Sequence, residues 1–204
     1  MSATAAPAAS DRSDFRTVTL GGALVGATTG VAVVLVVAAS RLLAGSPSIA
    51  GGVEALVVLV AATLVAFVPA ARTAARSTEG IAGAAALGLV GTVVFSAIDI
   101  VLLRPFKAYP WTWDAIGGGS TWWYLPVWWM LGTFLAWMGG IVTARAARGD
   151  GTLVRVAAPS VAGTVILTAL ARLAGLAVPL PVATGGAFTL VLAALALLAL
   201  ARKG

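Results

Sequence analysis

Six continuous apolar runs, each about as long as a membrane is thick, leave this chain few ways to fold. They cover Val18–Leu43, Val53–Ala70, Ile81–Leu103, Trp122–Ala144, Val156–Val178 and Val182–Leu200. A helix rises about 1.5 Å per residue, so some 20 residues cross a hydrocarbon layer roughly 30 Å deep. No water reaches backbone N–H and C=O groups in that layer, which leaves helices and closed barrels. Barrel strands alternate apolar and polar side chains, and these runs do not. The expected fold is all-α: a polytopic transmembrane bundle of six spans over residues 18–201, after a disordered cytoplasmic tail at residues 1–17. The opening "MSATAAPAASDRSDFR" has no cationic stretch running directly into an apolar one, so it does not resemble a cleaved signal peptide.

Composition agrees. Only 10% of residues are charged and 60% are hydrophobic, against about 25% charged in an ordinary soluble domain. The net charge of +6 is spread thinly and does not suggest nucleic acid. It follows topology instead. With the N-terminus inside, Arg12, Arg16, Arg72, Arg76, Arg145, Arg148, Arg155, Arg202 and Lys203 lie on the inner side, and Arg41, Arg104, Lys107 and Arg172 on the outer. Nine against four satisfies the positive-inside rule with both termini cytoplasmic. The preference for Ala, Val, Gly and Arg over Ile and Lys points to a GC-rich bacterial genome, hence to the bacterial cytoplasmic (inner) membrane.

Catalysis has little to work with. There is no His and no Cys, which removes the commonest general base and metal ligand and the thiolate nucleophile. No catalytic or metal-binding residue is assigned, and the chain is not expected to be an enzyme. Asp99 is the single acid well inside a span, one too few for an aspartyl dyad. An ionisable group at that depth needs a partner. Arg172 on the fifth span is the first candidate and Arg104 the second. Such a pair either serves a proton or cation site in transport or fixes two helices together. Glu54 falls at the start of the second span, where the helix dipole tolerates it.

The middle of the chain carries a near repeat at an offset of 72 residues. "TAARSTEG" (Thr73–Gly80) resembles "RAARGDG" (Arg145–Gly151), and "GTVVFSAI" (Gly91–Ile98) resembles "GTVILTAL" (Gly163–Leu170). The repeat places Asp99 and Arg172 at nearly the same depth.

Two stripes of small residues mark helix contacts. Gly22, Gly26 and Gly30 recur every fourth residue in the first span, and Gly132, Ala136 and Gly140 do so in the fourth. Lipid tails are as apolar as leucine, so helices associate in a bilayer through close backbone approach, which such stripes allow. They serve either packing within the bundle or contact with another subunit.

All seven tryptophans and both tyrosines lie between Tyr109 and Trp137. Tyr109, Trp111 and Trp113 in the loop, and Trp122, Trp123 and Tyr124 where the fourth span begins, suit an aromatic belt at the outer membrane boundary; Trp128 follows one turn later and is grouped with these outer aromatics. "GGGS" (Gly117–Ser120) is a hinge before them, and Pro126 suits a first helical turn. Trp137 lies too deep for a belt. Trp122, Trp129, Thr133 and Trp137 share one helical face, about 100° around from the small-residue stripe. That face either holds a flat apolar molecule (a lipid chain, quinone or carotenoid), meets a partner, fills the bundle core or faces lipid.

The sum of these features points to a non-catalytic membrane subunit or accessory protein. It would bind membrane lipid, partner helices or an apolar cofactor through its small-residue faces and Trp-rich outer segment, in a complex or homo-oligomer. The alternative is a small-solute transporter or binding subunit with Asp99 as a polar site. Six spans in some 200 residues with Ala23 and Ala27 at four-residue spacing in helix 1 resembles the substrate-binding components of energy-coupling-factor vitamin transporters. That resemblance implies solute binding and a partner complex.

Overall fold

The computed structural model of the chain describes residues 12–105, 124–146 and 152–201, with side chains from Pro126 onward in the second stretch. These residues form six long helices: α1 (Phe15–Leu42), α2 (Pro47–Arg72), α3 (Thr78–Ile98), α4 (Tyr124–Ala146), α5 (Leu153–Leu173) and α6 (Leu180–Ala201). A π turn, Asp99–Leu103, prolongs α3. All six helices are long and apolar enough to cross a membrane, and no strand occurs among the described residues.

Helix ends follow local chemistry that hydropathy does not see. Asp14 starts α1 by accepting hydrogen bonds from the Thr17 N–H at 3.1 Å and the Thr17 hydroxyl at 2.6 Å. The N-terminal segment is also tied down: the Arg12 N–H donates to the Thr73 carbonyl at 2.9 Å and the Ser13 hydroxyl to that of Glu79 at 3.3 Å. Residues 12–17 are thus ordered where a tail was expected; residues 1–11 lie outside the described set. Pro47 opens α2, six residues before the apolar run, because its fixed φ and missing N–H cost nothing in a first turn. Glu54 is therefore the eighth residue of α2 and not its N-terminal residue. At the other end of the chain, α5 stops at Leu173, short of the expected Val178. Gly175 adopts φ +77°, and the Leu176 N–H closes back onto the Ala171 carbonyl at 3.1 Å, a glycine C-cap followed by Pro179.

In the assembly, α3 is wedged between α1 and α4, while α2 lies against α1, α4 and α6. α5 sits on the flank, held chiefly by α6. One end of the bundle gathers the start of α1, the α2–α3 turn and the C-termini of α4 and α6; it carries Arg72, Arg76, Arg145 and Arg155 and is called the basic end. The opposite end holds the α1–α2 and α5–α6 turns. The main core is skewed toward the basic end: Ala66 and Phe67 of α2, Met138 and Ile141 of α4, and Phe188, Leu192 and Ala196 of α6 close around Val156 and Ala157. The periphery is apolar, with Leu20, Val31, Leu56, Ile166, Leu190 and Leu197 among the exposed side chains.

Candidate functional site

The two small-residue stripes both end on α3. A Cβ added at Gly26 would lie 2.5 Å from the Gly91 carbonyl oxygen, and one at Gly22 would lie 2.5 Å from Val90 Cγ1. Gly30 faces Ile98 in the same way. On the other side of α3, a Cβ at Gly88 would meet Ala136 Cβ at 2.5 Å and the Gly132 carbonyl oxygen at 2.7 Å, while Gly132 abuts Thr92 and Gly140 lies over Ala84 and Ile81. Both stripes are consumed inside the chain. Of the two roles open to these faces, packing within the bundle is the one these contacts serve: α3, with its own Gly88 and Gly91, meets both stripes. A further close approach, Gly139 against the Ala66 backbone, was not read from the sequence, because Ala66 carries no periodic signal of its own.

A neighbouring face of α4 remains open. Trp129, Thr133 and Trp137 line a shallow groove of about 660 Å³ together with Val127, Met130 and Leu89 of α3. Its walls are almost wholly apolar, and Trp137 is 47% exposed. The Trp129 indole Nε1 is buried with no hydrogen-bond partner among the described residues. Trp128, expected with the outer aromatics, is turned inward instead. Its ring meets Phe95 of α3 edge-on, with centroids 6.0 Å apart and planes at 73°, because its place in the helix rotates it about 100° from Trp129. Tyr109, Trp111, Trp113, Trp122 and Trp123 lie outside the described residues, as does the Tyr124 side chain.

Asp99 is 3% exposed and its Oδ2 accepts a hydrogen bond from Arg104 Nε at 3.0 Å. This replaces the first-choice partner. Arg172 donates from Nη1 to the Val178 carbonyl at 3.1 Å and so closes the α5–α6 turn; α5 rides on α6, away from α3. The pair Asp99–Arg104 owes its existence to the π turn. Residues five apart on an α-helix point about 140° from each other. The wider turn, closed by the Arg104 N–H on the Asp99 carbonyl at 2.9 Å, brings them onto one side. A buried stripe on α5, Ser160, Thr164 and Thr168, was also not anticipated. Thr164 bonds back to the Ser160 carbonyl at 2.6 Å, whereas Ser160 Oγ and Thr168 Oγ1 have no partner among the described residues.

No group of three or more metal-ligating acids occurs among the described residues. The chain matches no protein-family model, no curated protein and no solved structure. Its class therefore rests on geometry alone: an all-helical bundle of six membrane-length apolar helices, consistent with an integral membrane protein.

Proposed function

We propose that this chain is a non-catalytic multi-pass protein of the bacterial cytoplasmic membrane, with both termini cytoplasmic, whose α4 groove takes a flat apolar molecule from the bilayer. A lipid chain, a quinone or a carotenoid fits that chemistry. One observation carries the reading: α4 spends its small-residue face on α3 and leaves Trp129, Thr133 and Trp137 around an open apolar groove. A bilayer needs no tryptophan at such depth, since its preferred station is the headgroup level. The same surface is the place where a partner helix or a second copy would dock, now that the glycine stripes are occupied.

The test is extraction in mild detergent followed by solvent extraction, absorption and mass analysis of what remains bound. A retained isoprenoid or acyl-chain molecule, lost in Trp137→Ala with the bundle still folded, supports the reading. A ligand-free protein whose Trp fluorescence ignores added quinone and brominated lipid overturns it. The transport alternative draws on a different feature, the buried Asp99 in its π turn. Loss of proton-dependent solute uptake in Asp99→Asn, with assembly intact, would favour it.

A further inference from the structure

At the end opposite the basic one, a second cleft of about 660 Å³ opens between the α1–α2 and α5–α6 turns. Its lining combines one acid and one base, Glu54 and Arg172, with Ser40, Ser48, Gly51 and Leu180 among the remaining residues. The two charges line one cleft without touching. Glu54 is half-buried on α2 and makes no ion pair or hydrogen bond with any described residue. Arg172 gives one of its five N–H groups to Val178. A half-buried carboxylate left unpaired carries a desolvation cost that a direct ion pair would offset. The fold instead leaves Glu54 and Arg172 lining one cleft with no ion pair between them.

Depth sharpens the picture. α2 is 26 residues long, about 39 Å at 1.5 Å per residue, against a hydrocarbon layer of about 30 Å. With Arg72 at the far boundary, Glu54, about 10 Å along the helix from Pro47, falls where headgroups meet acyl chains. Pro47 and Ser48 at the start of α2 and Leu180 and Pro181 at the start of α6 also line the cleft, and helix N-termini carry partial positive charge. No aromatic ring is among the described lining residues, and the acid they do offer is a carboxylate, Glu54. A primary ammonium, which donates hydrogen bonds to a carboxylate, fits it.

We infer that this cleft binds a phosphoethanolamine group, with the ammonium on Glu54 and the phosphate on Arg172 and the two helix N-termini. Two sources present that group: the headgroup of a bilayer phospholipid and a free soluble phosphoethanolamine ester. The site is separate from the α4 groove, and its failure would leave that reading standing.

The experiment uses the full chain in detergent and in lipid nanodiscs. Native mass spectrometry compares retention of phosphatidylethanolamine, phosphatidylcholine and phosphatidylglycerol, and calorimetry measures soluble glycerophosphoethanolamine. Preferential retention of phosphatidylethanolamine assigns the lipid source; direct binding of the soluble ester assigns the free one. In either case Glu54→Gln and Arg172→Gln each weaken binding about tenfold or more, as expected when a charge-assisted hydrogen bond is lost. Gly51→Leu, which fills the cleft from its wall and keeps both charges, does the same. Equal retention of the three lipids with no binding of the ester overturns the inference. So does unchanged binding in all three variants, or a fall in thermal stability in Glu54→Gln that Arg172→Gln restores, since that would mark a structural charge pair.

Discussion

Gly91–Ile98 in α3 and Gly163–Leu170 in α5 spell almost the same word, GTVVFSAI and GTVILTAL, and the bundle uses them in opposite ways. In α3 the glycine is buried: an added Cβ would lie 3.0 Å from Val25 Cγ1 and 3.4 Å from the Gly22 carbonyl oxygen. Thr92, one residue on, is seated against Gly132 of α4, and the Ser96 hydroxyl bonds to the Thr92 carbonyl at 2.7 Å. In α5 the atoms nearest a Cβ added at the corresponding Gly163 all belong to one side chain, Val191, while Val165, Ile166 and Leu170 are exposed. Thr168, the counterpart of Ser96, is buried without a partner for its hydroxyl among the described residues. The same residues make a central strut where helices flank both sides and a flank helix where one neighbour suffices. What a small-residue pattern does is decided by how many helices reach it.

The contrast can be broken most forcefully at the glycines. Gly91→Leu puts a branched side chain into the α1–α3 contact, where a Cβ alone already lies 3.0 Å from Val25 Cγ1. With α4 packed on the other side of α3, it should cost more than about 3 kcal/mol or abolish assembly. Gly163→Leu brings its Cβ to 2.7 Å from Val191 Cγ1, but α5 is held chiefly by α6 and can shift on it, so the cost should be smaller, about 1–2 kcal/mol. Unfolding in mixed micelles titrated with a denaturing detergent measures both, and equal losses would end the distinction between strut and flank.

The next effect lies just past the repeated word. Asp99 in α3 corresponds to Ala171 in α5, and only the former has a basic partner one π turn away. Asp99→Ala leaves the Arg104 guanidinium without its carboxylate and should cost about 2–4 kcal/mol, with most of it recovered in Asp99→Ala/Arg104→Ala. Thermal unfolding of the four proteins in the cycle reads the coupling. Additive losses would show that the π turn, and not the ion pair, carries the stability.

Hydroxyl deletions give a smaller and opposite pair of effects. Ser96→Ala removes a made hydrogen bond and should cost about 0.5–1 kcal/mol; Thr168→Val removes a buried, unpartnered hydroxyl and should be neutral or stabilise by up to about 1 kcal/mol. A destabilised Thr168→Val, in the same micelle assay, would mean that α5 has a hydrogen-bonding neighbour at that depth.

The smallest effect is at the basic end, where α1 begins beside α3. The Thr17 hydroxyl and then the Thr17 N–H hold the Asp14 carboxyl below its ordinary range. A lowered folded-state value means that this cap is fully present above the ordinary carboxylate range and is lost as pH falls through the lowered value. Amide exchange in the first turn of α1 should therefore quicken on acidification, and Asp14→Asn should flatten that dependence. An unchanged profile in the variant would remove Asp14 as its source.

Much of the bundle was legible before any coordinates. Six apolar runs became six helices because helix formation and burial in an apolar medium both depend on local composition. Boundaries were less legible. The start of α2 at Pro47 and the end of α5 at Leu173 depend on a proline's φ and on Gly175 at φ +77°, and neither is a matter of hydropathy. Of the candidate site, the Trp129, Thr133 and Trp137 face could be read from helical spacing. The inward turn of Trp128 onto Phe95 could not, since it needs the position of α3.

What the sequence determined by itself is the set of segments that water rejects, the side of each helix that permits close approach, and the clustering of tryptophan. These follow from properties that adjacent residues share. Only the tertiary structure decided who meets whom: α3 between two glycine-lined faces, Asp99 with Arg104 instead of Arg172, Glu54 and Arg172 across one cleft. Each of those outcomes turns on helix register and crossing, where one residue's slip rotates a side chain by about 100°, and register is set by neighbours far away along the chain.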